Sequence, residues 1–253
     1  MFSHTEIKPV VSVKEAEYQR LLGYPKHRKL EDRARELADE ARAWFSAHGR
    51  PWIYAREISS LELAEENVRI GTTTFSSRRL REIFSESHAH RAVLVAVSAG
   101  KECEEHARAL WHDGKPDEYF FLETFGSAVV EELIVLANGH ICGWADAHQM
   151  AALTHFSPGF SGWEILEQIP LWNLFRQNFP DAFPGELDVL ESGMLRPKKS
   201  QLALVGLTRD LESARRFTRL IPCEQCSLNH CRYRRAPFKH HPPRLEHIAP
   251  RAG

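Results

Sequence analysis

Residues 91–100 read Arg-Ala-Val-Leu-Val-Ala-Val-Ser-Ala-Gly. The run Ala92–Val97 is apolar and β-branched, and Ser98-Ala99-Gly100 closes it. A short apolar run bounded by turn formers predicts a strand buried on both faces. It is also the longest apolar run of the chain, far too short to cross a bilayer.

Working outward, Lys101–His112 has helical spacing and starts directly after that strand. Phe121–Ala137 predicts the best helix of the middle, apolar at Leu122, Phe125, Val129, Leu133 and Leu136, with Asn138-Gly139 as its C-cap. Toward the N-terminus, Ser76–Phe84 predicts a short helix and Trp52–Ile58 a strand. Leu30 to His48 forms a long amphipathic helix stopped by Gly49 and Pro51. Val10–Val13 reads as a short strand, and Val13–Leu22 as a helix stopped by Gly23-Tyr24-Pro25. Toward the C-terminus, His155–Gly162 is a loop, and Glu164–Gln168 and Pro170–Phe175 are helical pieces. Leu187–Leu190 and Gln201–Leu207 predict strands joined through Pro197-Lys198-Lys199, and Asp210–Leu220 a charged helix. Strands interleave with helices without regular βαβ spacing, so the class is α+β.

The chain has 253 residues, 43% hydrophobic and 26% charged, which suits one large domain with a small appendage and argues against a disordered chain. Its 33 Lys and Arg balance 34 Asp and Glu, so a globally basic nucleic-acid binder is disfavoured. Five cysteines, an odd number, fit a reduced compartment. Met1–Val10 has no basic stretch leading into an apolar core, so no signal peptide is expected and the expectation is a soluble, cytoplasmic protein. Composition changes past Ile221, dividing the chain into a domain over 1–220 and an appendage over 221–253.

Four elements carry chemistry. The loop His155-Phe156-Ser157-Pro158-Gly159-Phe160-Ser161-Gly162-Trp163 fits close approach of a ligand to the backbone between aromatic rings, or an ordinary helix-entry turn. Leu190–Ser200 gathers Glu191, Ser192, Arg196, Lys198, Lys199 and Ser200, which suits an anionic or zwitterionic ligand, or a solvated loop. Glu123, Ser127 and Glu131 share one helix face and suit an amine or a ribose, or form a solvated acidic edge. Cys223, Cys226 and Cys231 put three thiols in nine residues, a signal for zinc or an iron–sulfur centre with His230, Cys142 or an exogenous group in the fourth position, or a cluster of free thiols or an opportunistic disulfide. Asp146-Ala147-His148 is a chance match to a corrinoid-ligand signature. The basic tail from Arg232 to Arg244 could dock on an acidic partner or solubilise the chain.

In this order and spacing, these elements resemble the S-adenosylmethionine-binding activation domain of cobalamin-dependent methionine synthase, and stand-alone proteins related to it. The resemblance runs from about Lys14 to Leu207. It includes Leu21-Leu22-Gly23-Tyr24, Ala99-Gly100, the helix of Glu123, Ser127 and Glu131, Ser157-Pro158-Gly159 with Trp163 and Gln168, and Glu191-Ser192 through Met194, Pro197, Lys199 and Ser200 to Gly206-Leu207. Cys231-Arg232-Tyr233-Arg234-Arg235 is similar to the terminal cluster of the stand-alone relatives. The resemblance implies a largely antiparallel twisted sheet with flanking helices. It implies S-adenosylmethionine held by Glu123, Glu131, His155, Ser157, Pro158, Gly159, Phe160, Glu191, Ser192 and Lys199. His155 stands where the family has a carboxylate-binding Arg, and Phe160 where it has Tyr. The family's amine-binding acid falls on Glu131, and Glu123 takes the place of a family Asp.

The function so implied is an accessory protein of corrinoid methyl transfer. It would act in trans on a cobalamin-binding methyltransferase module, cobalamin being present only through that partner, with an external electron donor. The alternative is a module that has kept the fold without the chemistry. A zinc-stapled nucleic-acid binder rests on the tail alone. Whether the chain is itself an enzyme stays open.

Overall fold

The computed structural model describes residues 1–25, 28–58, 60–179 and 183–217. Its elements in chain order are β1 (Ser3–Ile7), α1 (Glu15–Leu21), α2 (Asp32–His48), β2 (Trp52–Ile58), β3 (Leu61–Leu63), β4 (Val68–Ile70), β5 (Thr73–Phe75), α3 (Arg78–Glu86) and β6 (Arg91–Ser98). They continue with α4 (Lys101–His112), α5 (Pro116–Ala147), β7 (Ala151–Ala152), α6 (Gln168–Asn178), β8 (Asp188–Val189), β9 (Leu195–Arg196), β10 (Ser200–Thr208) and α7 (Leu211–Ala214).

The run that opens the sequence reading is the middle strand of the main sheet, whose order is β1-β2-β6-β10-β7. Every pairing in it is antiparallel. Leu94 of β6 lies opposite Arg56 of β2 and Leu204 of β10. Side chains alternate across the pleat, and β6 is buried on both faces. Val93, Val95 and Val97 enter one core with Ala55, Ala203 and Val205, while Ala92, Leu94 and Ala96 enter a second with Tyr54 and Leu204. This is why the segment reads as continuously apolar rather than alternating.

Helices α1, α2 and α4 pack on α5, and α5 lies across β2, β6 and β10. Its 32 residues make a rod about 48 Å long. The small side chains of the first sheet face, Ala55, Ala203 and Val93 among them, let this rod approach closely. The opposite face is covered by α6, α3 and the three-stranded sheet β3-β4-β5, and this core is aromatic: Trp52, Tyr54, Phe75, Phe84, Phe156, Trp163, Trp172 and Phe175 are all buried. The α+β class and the antiparallel sheet with flanking helices are those expected from the sequence.

Several local expectations are corrected. Val10–Val13 is irregular, and the N-terminal strand is Ser3–Ile7. Its polar sequence carries no core signal, and pairing with β2 creates it. The helix over Phe121–Ala137 starts at Pro116 and passes through Asn138-Gly139 to Ala147. Ile141 and Ala145 bury beyond the presumed cap, and Gly139 and Gly143 face open space, so neither Gly carries a packing penalty. The chain leaves the helix after Ala147, with His148 as C-cap and Gln149 beyond it at φ 56. Strands β3 to β5 and β7 have no counterpart among the expected elements. Leu187–Leu190 contracts to the two residues of β8. The charged helix after Asp210 is a four-residue turn, α7, within the described residues, capped by Asp210, whose carboxylate accepts from the Ser213 N–H at 3.0 Å. No helix among the described residues is long and apolar enough to cross a membrane.

Candidate functional site

The loop after β7 is built on β10. Phe156 pairs with Leu204 by two backbone hydrogen bonds of 2.8 Å, which place Ser157 beside the start of β10. There the amide of Gln201 donates to Ser157 Oγ at 2.8 Å. The turn closes with Phe160 N–H donating to Ser157 O and Gly159 N–H to Trp163 O, at 3.0 and 2.8 Å. Gly159 and Gly162 adopt φ 93 and 86, in the region that side chains rarely adopt. Gly162 also admits Arg79, since a Cβ there would fall 2.7 Å from Arg79 Cβ. The Gly162 carbonyl accepts from Ser77 Oγ at 2.8 Å, and Ser77 Oγ in turn caps α3 by accepting from Leu80 N–H at 3.0 Å. Trp163 stacks on Phe156 with planes 10° apart and donates its indole N–H to Glu167. Ser157 and Pro158 are buried, whereas Gly159 is exposed and Phe160 half-buried.

Helix α5 presents three polar groups along its length. At its N-terminal third, Glu123 accepts both lysines of the Lys198-Lys199 pair, at 2.9 Å from Lys198 Nζ and 3.1 Å from Lys199 Nζ. Lys199 also donates to Ser127 Oγ at 2.9 Å. Its stem crosses Gly126, where an added Cβ would meet Lys199 Cγ at 3.1 Å and Cys103 Sγ at 2.9 Å, so only Gly leaves this passage open. Glu131, two turns on, faces α1 and pairs with Arg20 at 3.2 Å, with Glu17 on the same guanidinium. Arg20 and Glu131 line an open groove of about 740 Å³ with Tyr24, Ala128 and Val135. At Asn138 the amide is 2.9 Å from His155 Nδ1. Burial pushes the His155 pKa down to about 4, so the ring is neutral at pH 7, and it meets Phe160 edge-on at 5.9 Å.

The residues expected from sequence therefore fall in three places. Glu123 and Lys199 are joined directly. His155, Ser157, Pro158, Gly159 and Phe160 form one loop, tied to α5 through Asn138 and to β10 through Gln201. Glu131 sits between these on α5 but turns toward α1. Glu191 and Ser192 are exposed in the turn between β8 and β9, where Leu190 and Met194 pair at 2.8 Å. Cys103 is buried, its thiol pushed up to about 12 by burial and then by Glu123, while Cys142, a candidate fourth ligand of the cysteine cluster, is exposed. Cys223, Cys226 and Cys231 lie outside the described residues. Sequence alone missed Asn138, read as a cap residue, and Gln201, read as a strand residue. Both join the loop to its surroundings, and only the three-dimensional pairing marks them.

The main sheet is antiparallel throughout, one very long helix backs it, and a proline–glycine loop bridges to β10. The chain is similar to the MetH reactivation domain, solved with bound AdoHcy, at 12% sequence identity and a TM-score of 0.55; the match covers 82% of this chain and 79% of that one. No protein-family model and no curated protein matches the sequence.

Proposed function

We propose that this chain binds S-adenosylmethionine between α5 and the His155–Trp163 loop and serves reductive reactivation of a cobalamin-carrying methyltransferase in trans. The observation that carries this reading is the seam from Glu123 and Lys199 through Gln201 and Ser157 to His155 and Asn138, on a fold shared with a domain that holds AdoHcy. S-adenosylmethionine, when bound, supplies its methyl group to the reduced cobalt of the partner, and an external donor supplies the electron that reduces the oxidised cobalt. This chain's residues bind and orient the ligand, which is positioning rather than acid–base chemistry. His155, neutral at pH 7, offers the ligand a hydrogen bond and not a charge. Lys199, directly before β10, would hold the ligand carboxylate by exchanging part of its contact with Glu123. Glu131, which faces α1 and pairs with Arg20, would accept the ligand amine by turning from that ion pair toward the loop.

The domain over 1–220 carries the ligand in this reading. The appendage over 221–253 would carry a zinc or an iron–sulfur centre on Cys223, Cys226 and Cys231; an iron–sulfur centre could relay the electron, whereas zinc would be structural only. Anaerobic purification with metal analysis and a visible spectrum tests that part: sulfur-to-iron absorption or one bound zinc supports it, and a colourless, metal-free protein removes it. A second reading is supported by the neutral His155 and by Phe160, which has no hydroxyl: a module that keeps the fold and binds another small carboxylate or a partner. Calorimetric titration with S-adenosylmethionine separates the two.

A further inference from the structure

Edge strand β1 holds two side chains that the ligand seam does not use. His4 and Glu6 alternate with the exposed Ser3, Thr5 and Ile7, so both project from one face of the strand. His140, near the C-terminal end of α5, meets them there. Its ring stacks on His4 with centroids 4.0 Å apart and planes 27° apart. Glu6 Oε2 lies 3.4 Å from His4 Nε2 and 3.5 Å from His140 Nε2. One ligand atom from each of the three lies within 4.8 Å of the other two.

These distances are long for charge-assisted hydrogen bonds, which run about 2.7–2.9 Å. They match the ligand-to-ligand edge of a tetrahedral zinc ion, about 3.4 Å for bonds of about 2.0–2.2 Å. Two of the three edges are already the right length, and the third closes by rotation of the His140 ring, whose side chain is 46% exposed. The strand side is fixed in advance, as a ligand set needs. Glu57 accepts the Phe2 N–H, Arg56 donates to His4 O at 2.8 Å, and Phe2 packs edge-on against Trp144 of α5. Burial, and then the His140 ring, lower the His4 pKa, which favours the neutral imidazole that metals bind. Arg56, a cation beside His4, donates instead to His4 O and to Thr5 Oγ1.

We infer that His4, Glu6 and His140 form a divalent transition-metal site, best suited to zinc, with water in the fourth position. Two imidazoles and one carboxylate are an established zinc ligand set, and the open position faces solvent. Bound metal would pin the sheet edge to the end of α5, far along the helix from Glu123 and Lys199. None of its three ligands is a cysteine or belongs to the proposed S-adenosylmethionine seam.

Cobalt(II) reports the difference between nitrogen–oxygen and thiolate ligation directly. The chelator-stripped full chain, kept reduced, is titrated with cobalt(II) chloride, and zinc chloride then displaces it. In the Cys223→Ser/Cys226→Ser/Cys231→Ser variant, which leaves the cysteine cluster without thiols, the expected result is one equivalent with weak visible bands and no thiolate charge-transfer band. Adding His140→Ala or Glu6→Ala to that variant weakens this binding at least tenfold, and zinc raises the melting temperature of the triple variant but of neither combination. Both further side chains are partly exposed, so these variants keep the core intact. Equal cobalt affinity with and without His140→Ala or Glu6→Ala would overturn the assignment, as would loss of all binding in the triple cysteine variant.

Discussion

The two faces of the main sheet are built from different materials. The α5 face is lined by Ala and Val, and its helix carries Glu123, Ser127, Glu131 and Asn138 at intervals. The opposite face is filled by stacked aromatic rings, and among its buried side chains the polar ones are few. Small residues let a long straight helix lie close to the sheet, and a helix so placed can hold polar groups at fixed distances from a sheet-edge loop. Bulky rings fill volume and hold the sheet's curvature. In the proposed reading the helix side supplies polar binding groups, the ligand loop is anchored through Phe156 and Trp163 in the aromatic side, and the packed rings of that side supply stability.

The largest effect should come from the aromatic side. Phe175 is fully buried among Tyr54, Trp172 and Phe183. Phe175→Ala should cost about 3–5 kcal/mol of stability in chemical denaturation, with ligand affinity unchanged in the folded fraction. A loss below about 1 kcal/mol would mean that the aromatic face is not the main source of stability.

On the helix side, His155 should leave a pH signature. Its folded pKa of about 4 lies below the unfolded value of 6.5. The unfolded chain therefore binds the extra proton first as pH falls. This contribution to stability is whole above about pH 6.5 and is lost as pH falls toward 4, by at most about 3 kcal/mol. His155→Gln should flatten the denaturation midpoint across that window relative to the parent. Parallel pH curves for the two proteins would place the parent's imidazole in water instead.

Glu123 should have a smaller, mixed effect. It and Lys199 are both mostly buried, with side chains 12% and 15% exposed. Glu123→Gln leaves two lysines short of an anion and should cost about 1–3 kcal/mol, while changing the ligand's carboxylate affinity. If it weakens neither stability nor binding, the pair is only a surface contact.

Much of this comparison was legible in the sequence. Strand β6, buried on both faces, reads as apolar throughout, and α2 and α4 show their amphipathic stripes plainly. The extension of α5 was not legible, because Asn138-Gly139 is a standard stop signal and only the burial of Ile141 and Ala145 overrides it. Ser3–Ile7 was hidden for a related reason: an edge strand with one wet side needs no apolar residues, and its register comes from β2. Of the site, the acid positions on α5 and the Ser157-Pro158-Gly159 loop stand out by residue type. That Glu123 faces Lys199 whereas Glu131 faces Arg20 depends on where α1 and the segment before β10 meet the helix, which spacing along one chain does not encode.

The central claim is that the helix side binds S-adenosylmethionine. Its most direct test is calorimetric titration of the full chain at pH 7.5, with Glu131→Ala and an aromatic-side surface variant, Arg69→Ala, in parallel. The account predicts one site of micromolar affinity, about −8 kcal/mol, weakened roughly tenfold by Glu131→Ala, about 1.4 kcal/mol, and unchanged by Arg69→Ala. Absence of binding heat with S-adenosylmethionine and with S-adenosylhomocysteine, in a chain shown to be folded, would contradict it.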